Sequence, residues 1–573
     1  MKKCKILALV LTVALLLSGC SFSEWLDEVS DRFYHTLERL SQEATVTDET
    51  DDPSTEPPEV VENEEGDYPA EVDFQSIVYT RPDVEGFALL VEDCSEALAG
   101  KDRAAALDKC REVLKAYDSF YDMTTYAYIQ FCKDLSDSKW QEEYTWCTAN
   151  TTTVQQAMEQ YYEAYDSSKI PGLGVADYDG HFTASGAGIS MTDEMASLLN
   201  QEAELVNQYY DLLSADTGSM LEFYDTYNEE IAGLYIELIQ LRKQIAEEAG
   251  YESYELFANH YYHDQDYTKE ELEEYIEGVK KYVSPVLSMW YHHADEEIYK
   301  KDASTQDCKD YLSSAATNMG GALQDAWDYM MKYNLYDVAS GDSRYAGSYE
   351  TYFMGLDIPF LFMSAGENPM DFLTFAHEFG HFFNDFAAHG SNATTNVAEF
   401  YSQAMEYLSL CYADEPDTET VEQLRQEKMA DSLQTYVTQT VIYRFEQLAY
   451  ELPEEKLTVE ELNLLYGNVA REFNYQVFDW DTREWIAVTH LFEQPFYTIS
   501  YVLSNDAAIQ IYQMELEEPG SGLSLYCDLA KRWKAQSFQT FVEQSGLEQP
   551  LSEERLRSVA RLMRDAITAS PEA

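Results

Sequence analysis

Positive charge is scarce in this chain. Its 573 residues hold 37 Lys and Arg against 106 Asp and Glu, a formal net charge of −69 at pH 7. A surface this acidic repels phosphate backbones, so nucleic acid is not an expected partner, and it favours cationic ligands and divalent metals. Cysteine is sparse too, and none of the nine forms a CxxC pair, which argues against a cysteine-built zinc site. Beyond Cys4 and Cys20, buried free thiols are the default reading, although export would allow Cys94–Cys110 or Cys132–Cys147 to staple neighbouring helices. No phosphate-cradling glycine loop and no GxSxG elbow occurs, so neither P-loop nor serine-hydrolase chemistry has support. The apolar run Ile6 to Leu17 is 12 residues, short of the roughly 20 that a membrane-spanning helix needs.

That short run has its own meaning. Lys2, Lys3 and Lys5 precede it, and "LSGC" closes it at Cys20. The pattern is that of an export signal, residues 1–19, and the small residues before Cys20 resemble a bacterial lipobox, in which that thiol is lipidated. An ordinary secretory signal is the alternative. The expected location is the outer face of a bacterial membrane, with acyl chains as the anchor. Residues 20–72 include "TVTDETDDPSTEPPEVVENEEGDYPAE", too acidic and proline-rich to form a core, and read as a self-repelling tether.

From Asp73 onward apolar residues recur every three or four positions, as in "AALDKCREVLKAYDSFYDMTTYAYIQF" and "MLEFYDTYNEEIAGLYIELIQLRKQIAEEAG". A mainly α fold is expected, with a helical N-terminal lobe over 73–340 and a second lobe over 341–573. Gly100 and Gly250 mark helix ends. One region breaks the pattern: "SRYAGSYETYFMGLDIPFLFMSAGENP", Ser343 to Pro369, reads as two or three short strands. An exposed edge there would suit an extended peptide, held by backbone pairing.

Directly after those strands comes "TFAHEFGHFFNDFAAHG". On a helix, His377 and His381 share one face a turn apart, so both imidazoles can reach one ion. Glu378 beside them is placed to take a proton from a water that the ion has acidified. Phe375, Phe379, Phe382 and Phe383 would bury one side of the helix, and Asp371 suits its positive end. A zinc ion needs a third protein ligand. A metzincin HExxHxxGxxH is ruled out, because Asn384 and Ala387 stand where glycine and histidine should be. In "TTNVAEFYSQAMEYLSLCY", Glu399 lies 18 residues after His381, enough for a turn and a returning helix. Glu399 is therefore the expected third ligand to a single Zn²⁺ ion, and Glu406, two turns on, the expected hydrogen-bond acceptor from a ligand imidazole. The cluster "NHYYHDQD", with His260 and His263, has neither nucleophile nor apolar helix context and reads as non-catalytic.

"DFLTFAHEFGH…VAEFYSQAMEYL" resembles the thimet oligopeptidase and oligoendopeptidase F family of zinc peptidases, and "LRKQIAEEAGYESYELFA" resembles that family's helix–GY–helix block. The resemblance implies His377, His381 and Glu399 as zinc ligands, Glu378 as base, and a two-lobed, deep-channelled body open only to oligopeptides. Asn384 departs from the histidine that many members carry there. Near the C-terminus, "REWIAVTHLFEQPFYTISYVLS" resembles the family's "H…FY…Y" stretch. A growing oxyanion needs donors besides the metal, and His490 and Tyr497 are expected to supply them, with Tyr501 the alternative. The implied function is a zinc endopeptidase at the cell surface acting on short peptides. The rival from another class is a peptide-binding surface lipoprotein with a non-catalytic zinc site.

Overall fold

The structure is a computed structural model. It describes residues 69–568 apart from 172, 174–191, 214–216, 218, 264, 266, 291–300, 342, 391–392, 476–480 and 532–536. The export signal, Cys20 and the tether up to residue 68 lie outside the described residues.

Three long helices come first: α1 (Val84–Leu98), α2 (Arg103–Lys133) and α3 (Ser138–Asp166). Each starts behind an aspartate whose carboxylate accepts otherwise unpaired amides. Asp83 accepts from Gly86, Asp102 from Ala104 and Ala105, and Asp137 from Lys139. Their facing sides bury Phe87, Val113, Phe120, Val154 and Tyr161 in a core of their own. Cys94 and Cys110 meet inside it with their sulfurs 3.8 Å apart, beyond bonding distance. Cys132 and Cys147 are free thiols as well, so neither staple forms.

A second, larger core occupies the rest of the described chain, and the C-terminal end of α2 enters it through Tyr128, Ile129 and Cys132. It gathers α4 (Asp193–Leu213), α5 (Met220–Glu248), α6 (Tyr254–Tyr261), α7 (Lys269–Gly278), α8 (Ser284–Trp290), α9 (Thr305–Met319) and α10 (Gly321–Lys332). Helix α5 stops at Gly250, whose φ of +81° suits a residue without Cβ.

The sheet follows, with β1 (Tyr336–Ala339), β2 (Ser348–Phe353) and β3 (Ile358–Ser364) in the order β1-β3-β2. Strand β1 runs parallel to β3, with Tyr336 opposite Leu361, and β2 antiparallel, with Ser348 opposite Met363. Strands β2 and β3 fall inside the expected stretch, whereas β1 lies wholly before it. Both β2 and β3 are almost wholly buried, as their aromatic and β-branched content requires.

The remaining helices are α11 (Asp371–Ala388), α12 (Thr395–Tyr412), α13 (Thr418–Glu451), α14 (Val459–Glu472), the single turn α15 (His490–Glu493), α16 (Ile499–Glu517), α17 (Ser521–Lys531), α18 (Phe538–Ser545) and α19 (Glu553–Thr568). Helix α11 packs between the sheet and α12, which in turn packs on α16. Asp371 opens α11 but does not cap it. Its buried carboxylate instead accepts the backbone N–H groups of Gly366 and Asn368, at 3.1 and 3.2 Å, and so ties down the loop leading in. Among the described residues no helix is long and apolar enough to cross a membrane.

Candidate active site

Helix α11 presents both histidines of the HEFGH motif to α12 because the helices nearly touch. At Gly380 a Cβ would sit 2.5 Å from the Tyr401 carbonyl oxygen and 2.6 Å from Ser402 Cα, so only glycine permits this crossing. Phe375, Phe379, Phe382 and Phe383 are fully buried behind it and close off the far side. The crossing brings Glu399 of α12 beside the imidazoles: donor atoms of His377, His381 and Glu399 all lie within 4.8 Å of one another. Glu399 is completely buried. Its two oxygens accept hydrogen bonds from Tyr497 Oη at 2.7 Å and Ser402 Oγ at 3.0 Å.

His377 is oriented from behind. Its Nδ1–H donates to Glu406 Oε1 at 2.9 Å, which leaves Nε2 facing Glu399 Oε2 at 3.5 Å. Nε2 is buried and has no hydrogen-bond partner. Two ligands held at 2.0–2.2 Å in tetrahedral zinc geometry stand about 3.4 Å apart, so this spacing and this donor set fit the ion. The electrostatics agree. Burial works against a charged His377, yet Glu406, Glu399 and Glu378 outweigh it and raise its pKa to about 9. The carboxylates around His377 thus favour a positive charge at that imidazole. Burial holds His381 down to about 4, which keeps its lone pair available. Burial pushes Glu378 up to about 8; His377 pulls against that shift and the neighbouring carboxylates add to it.

The second cluster reaches this group. His490, Tyr497 and Tyr501 are all buried, with ring centroids 5.6 Å apart for His490 and Tyr497 and 5.7 Å for His490 and Tyr501. Tyr497 spends its hydroxyl on Glu399, while Tyr501 Oη lies 3.3 Å from His490 Nε2. The two tyrosines therefore differ in role: one touches the candidate ligand, the other the candidate oxyanion donor.

Several residues here escaped sequence reasoning. Lys428 and Asp431, on α13, stand behind Glu406. Arg242, fully buried on α5, donates from Nη1 to the Leu491 carbonyl at 2.9 Å and from Nη2 to that of Phe492, and so holds the turn bearing His490. Glu446 accepts the Phe496 N–H at 2.7 Å, and His263 Nε2–H donates to the Pro495 carbonyl at 2.8 Å. These contacts clamp Phe496 at φ +66°, a left-handed conformation costly for a bulky side chain. His263 thus finds its place as a brace beside Tyr497, and His260 is exposed. The proximity of "RKQIA" to "HLFE" had no local sign in the sequence.

Residues 74–171 match the family model described as the Peptidase M3 N-terminal domain. The solved structure of PZ peptidase A with an inhibitor superposes with a TM-score of 0.75 at 17% identity, covering 87% of this chain and 99% of that one. In its N-terminal segment and its fold, this chain is similar to the M3 peptidases. A protein of Bacillus anthracis strain Ames described as an oligoendopeptidase F gives a TM-score of 0.73 at 19% identity, over 87% of this chain and 99% of its own. The oligoendopeptidase F homolog of Borreliella burgdorferi is 25% identical over 225 residues, 37% of this chain and 36% of that relative. The match therefore spans about a third of the length of that curated relative, and at these identities the solved structures establish the M3-type helical fold.

Proposed function

We propose that this M3-type chain is a zinc-dependent endopeptidase that cleaves internal bonds of short peptides. One observation carries the reading. A buried imidazole nitrogen without a partner, His377 Nε2, converges with His381 and Glu399 beside a buried glutamate, Glu378. His377, His381 and Glu399 would hold the ion. An ion held there would supply Lewis-acid chemistry for a carbonyl oxygen and a water. Glu378, its affinity for a proton already raised by burial, accepts the proton of the attacking water and passes it to the leaving amine. His490 and Tyr501 form the donor pair for the oxygen on which negative charge grows, and Tyr497 fixes the Glu399 carboxylate. A peptide-binding lipoprotein would have no use for an acid buried at position 378.

The test is cleavage of an internally quenched peptide by the purified protein, with and without a chelator, beside Glu378→Gln. Cleavage abolished by chelation and restored by zinc supports the reading. Tight peptide capture without cleavage by the metal-loaded protein would replace it with the binder. The lipobox-like segment adds a separate proposal, anchoring at Cys20 to the outer face of a bacterial membrane. Incorporation of labelled fatty acid in cells, lost in Cys20→Ser, checks it.

A further inference from the structure

Behind the candidate metal ligands lies a charged array that the proposed reaction does not use. Lys428, on the third helix α13, is 3% exposed. Its ammonium donates to Glu406 Oε2 at 2.7 Å and to Asp431 Oδ2 at 3.2 Å, and lies 5.2 Å from the centre of the Tyr407 ring. The other oxygen of Glu406 receives the proton of His377 Nδ1. The order is thus Asp431, Lys428, Glu406, His377, running from the half-buried side of α13 to the donor atoms.

A buried ion pair is a poor way to add stability, because removing both charges from water costs about as much as their attraction returns. Apolar residues of the same volume would pack this site at least as well. What the pair does supply is orientation. Glu406 has two equivalent oxygens, and a carboxylate bonded through one of them alone can swing about its side-chain torsions. With Oε2 claimed by Lys428, Oε1 remains aimed at Nδ1, and the ring of His377 is held with Nε2 towards Glu399 and His381. Lysine also offers only donors, so Glu406 must meet it as an acceptor, which matches the acceptor role it plays toward Nδ1. Arg425, one turn earlier on α13, donates to the Leu410 carbonyl at 2.7 Å and fixes α13 against the end of α12, so the ammonium is presented from a rigid support.

We propose that Lys428 is a positioning residue for the metal centre, acting through Glu406 to set the orientation of His377. The inference rests on the zinc reading above. It assigns Lys428 no contact with substrate.

Zinc affinity of the purified full chain, measured by competition with a chromophoric chelator, tests it without reference to turnover. Lys428→Met is expected to weaken zinc binding about 10-fold, and Glu406→Gln about 10- to 100-fold, the range found when outer partners of metal-bound histidines are removed. Asp431→Asn, which leaves the Lys428–Glu406 pair intact, is expected to bind zinc like the wild type. In a Glu406→Gln background, Lys428→Met should add nothing further. Should Lys428→Met alone not fold, Lys428→Met with Asp431→Asn removes one charge of each sign and carries the same comparison against Asp431→Asn. Wild-type affinity in Lys428→Met would overturn the proposal. So would a full 10-fold loss that persists in the Glu406→Gln background, because Lys428 would then not act through Glu406. Failure of the wild-type protein itself to bind zinc would remove the metal reading instead, and so tells the two failures apart.

Discussion

Replacing Gly380 with alanine separates local packing from chemistry. The new methyl group would lie 2.5 Å from the Tyr401 carbonyl oxygen and 2.6 Å from Ser402 Cα, both main-chain atoms with no rotamer to move aside. Ordinary contact needs about 3.5 Å, so α11 and α12 must part by about 1 Å. Overpacking of this kind costs about 1–3 kcal/mol. With an unfolding entropy of about 2.1 cal/mol/K per residue, a chain of this size loses about 1–3 °C in Tm. The effect on metal should be larger, because ligand positions tolerate about 0.2 Å and Glu399 would be carried several times that distance from the histidines. Gly380→Ala is therefore expected to fold with a slightly lower Tm and to lose at least about 10-fold in zinc affinity. Calorimetry of the metal-free protein and chelator competition measure the two quantities. A variant with wild-type zinc affinity and unchanged Tm would refute the claim that this close crossing builds the site.

Glu378→Gln should retain zinc and lose about 10²- to 10⁴-fold in kcat for a quenched peptide; activity near wild type would remove Glu378 as the base. Chelation should abolish cleavage and lower Tm, with zinc restoring both, whereas an unchanged Tm would mean that no metal bridges α11 and α12. Tyr501→Phe should lower kcat more than zinc affinity, and Tyr497→Phe should do the reverse, because only Tyr497 bonds Glu399. Asp122 supplies a pH test. Burial, against the pull of the Gly355 amide, pushes its carboxyl up to about 7, while the unfolded chain titrates near 4. The native state holds the proton more tightly, so this contribution to stability is complete below about pH 4 and is lost as pH rises through about 7. Asp122→Asn should flatten the fall in Tm across that window, and an identical slope in the variant would show that Asp122 is not the group responsible.

What the sequence revealed follows the range of the signal. The histidines and the phenylalanines behind them repeat with the helical period, so their shared face is readable within a few residues. Glu399 was reachable because a helix hairpin of 18 residues is still short. The strands Ser348–Phe353 and Ile358–Ser364 stand out by their aromatic alternation and flanking glycines. Tyr336–Ala339 was missed, since four residues following a helix, only Val338 of them buried, carry neither sign. The split between Tyr497 and Tyr501 was undecidable in one dimension: the residues are four apart, one just before α16 and one on its first turn, and only the approach of Glu399 tells them apart. Lys428 and Arg242 left no trace at all. Each acts across a packing interface with a partner that no local pattern announces, and a lysine or arginine inside a helical run reads as solvated surface.

Arg242 has a consequence for how the protein becomes competent. The guanidinium that grips the Leu491 and Phe492 carbonyls belongs to a helix made some 250 residues earlier in synthesis, and its own anchor, Glu202, lies earlier still. Until the chain has emerged past residue 500 and closed back on that helix, the donor group around His490 has no scaffold. A nascent chain that still lacks that segment would then have no ordered donor group at His490. On the function proposed above, cleavage would then wait until the residues beyond 500 have joined the fold, and unfinished copies would cut nothing.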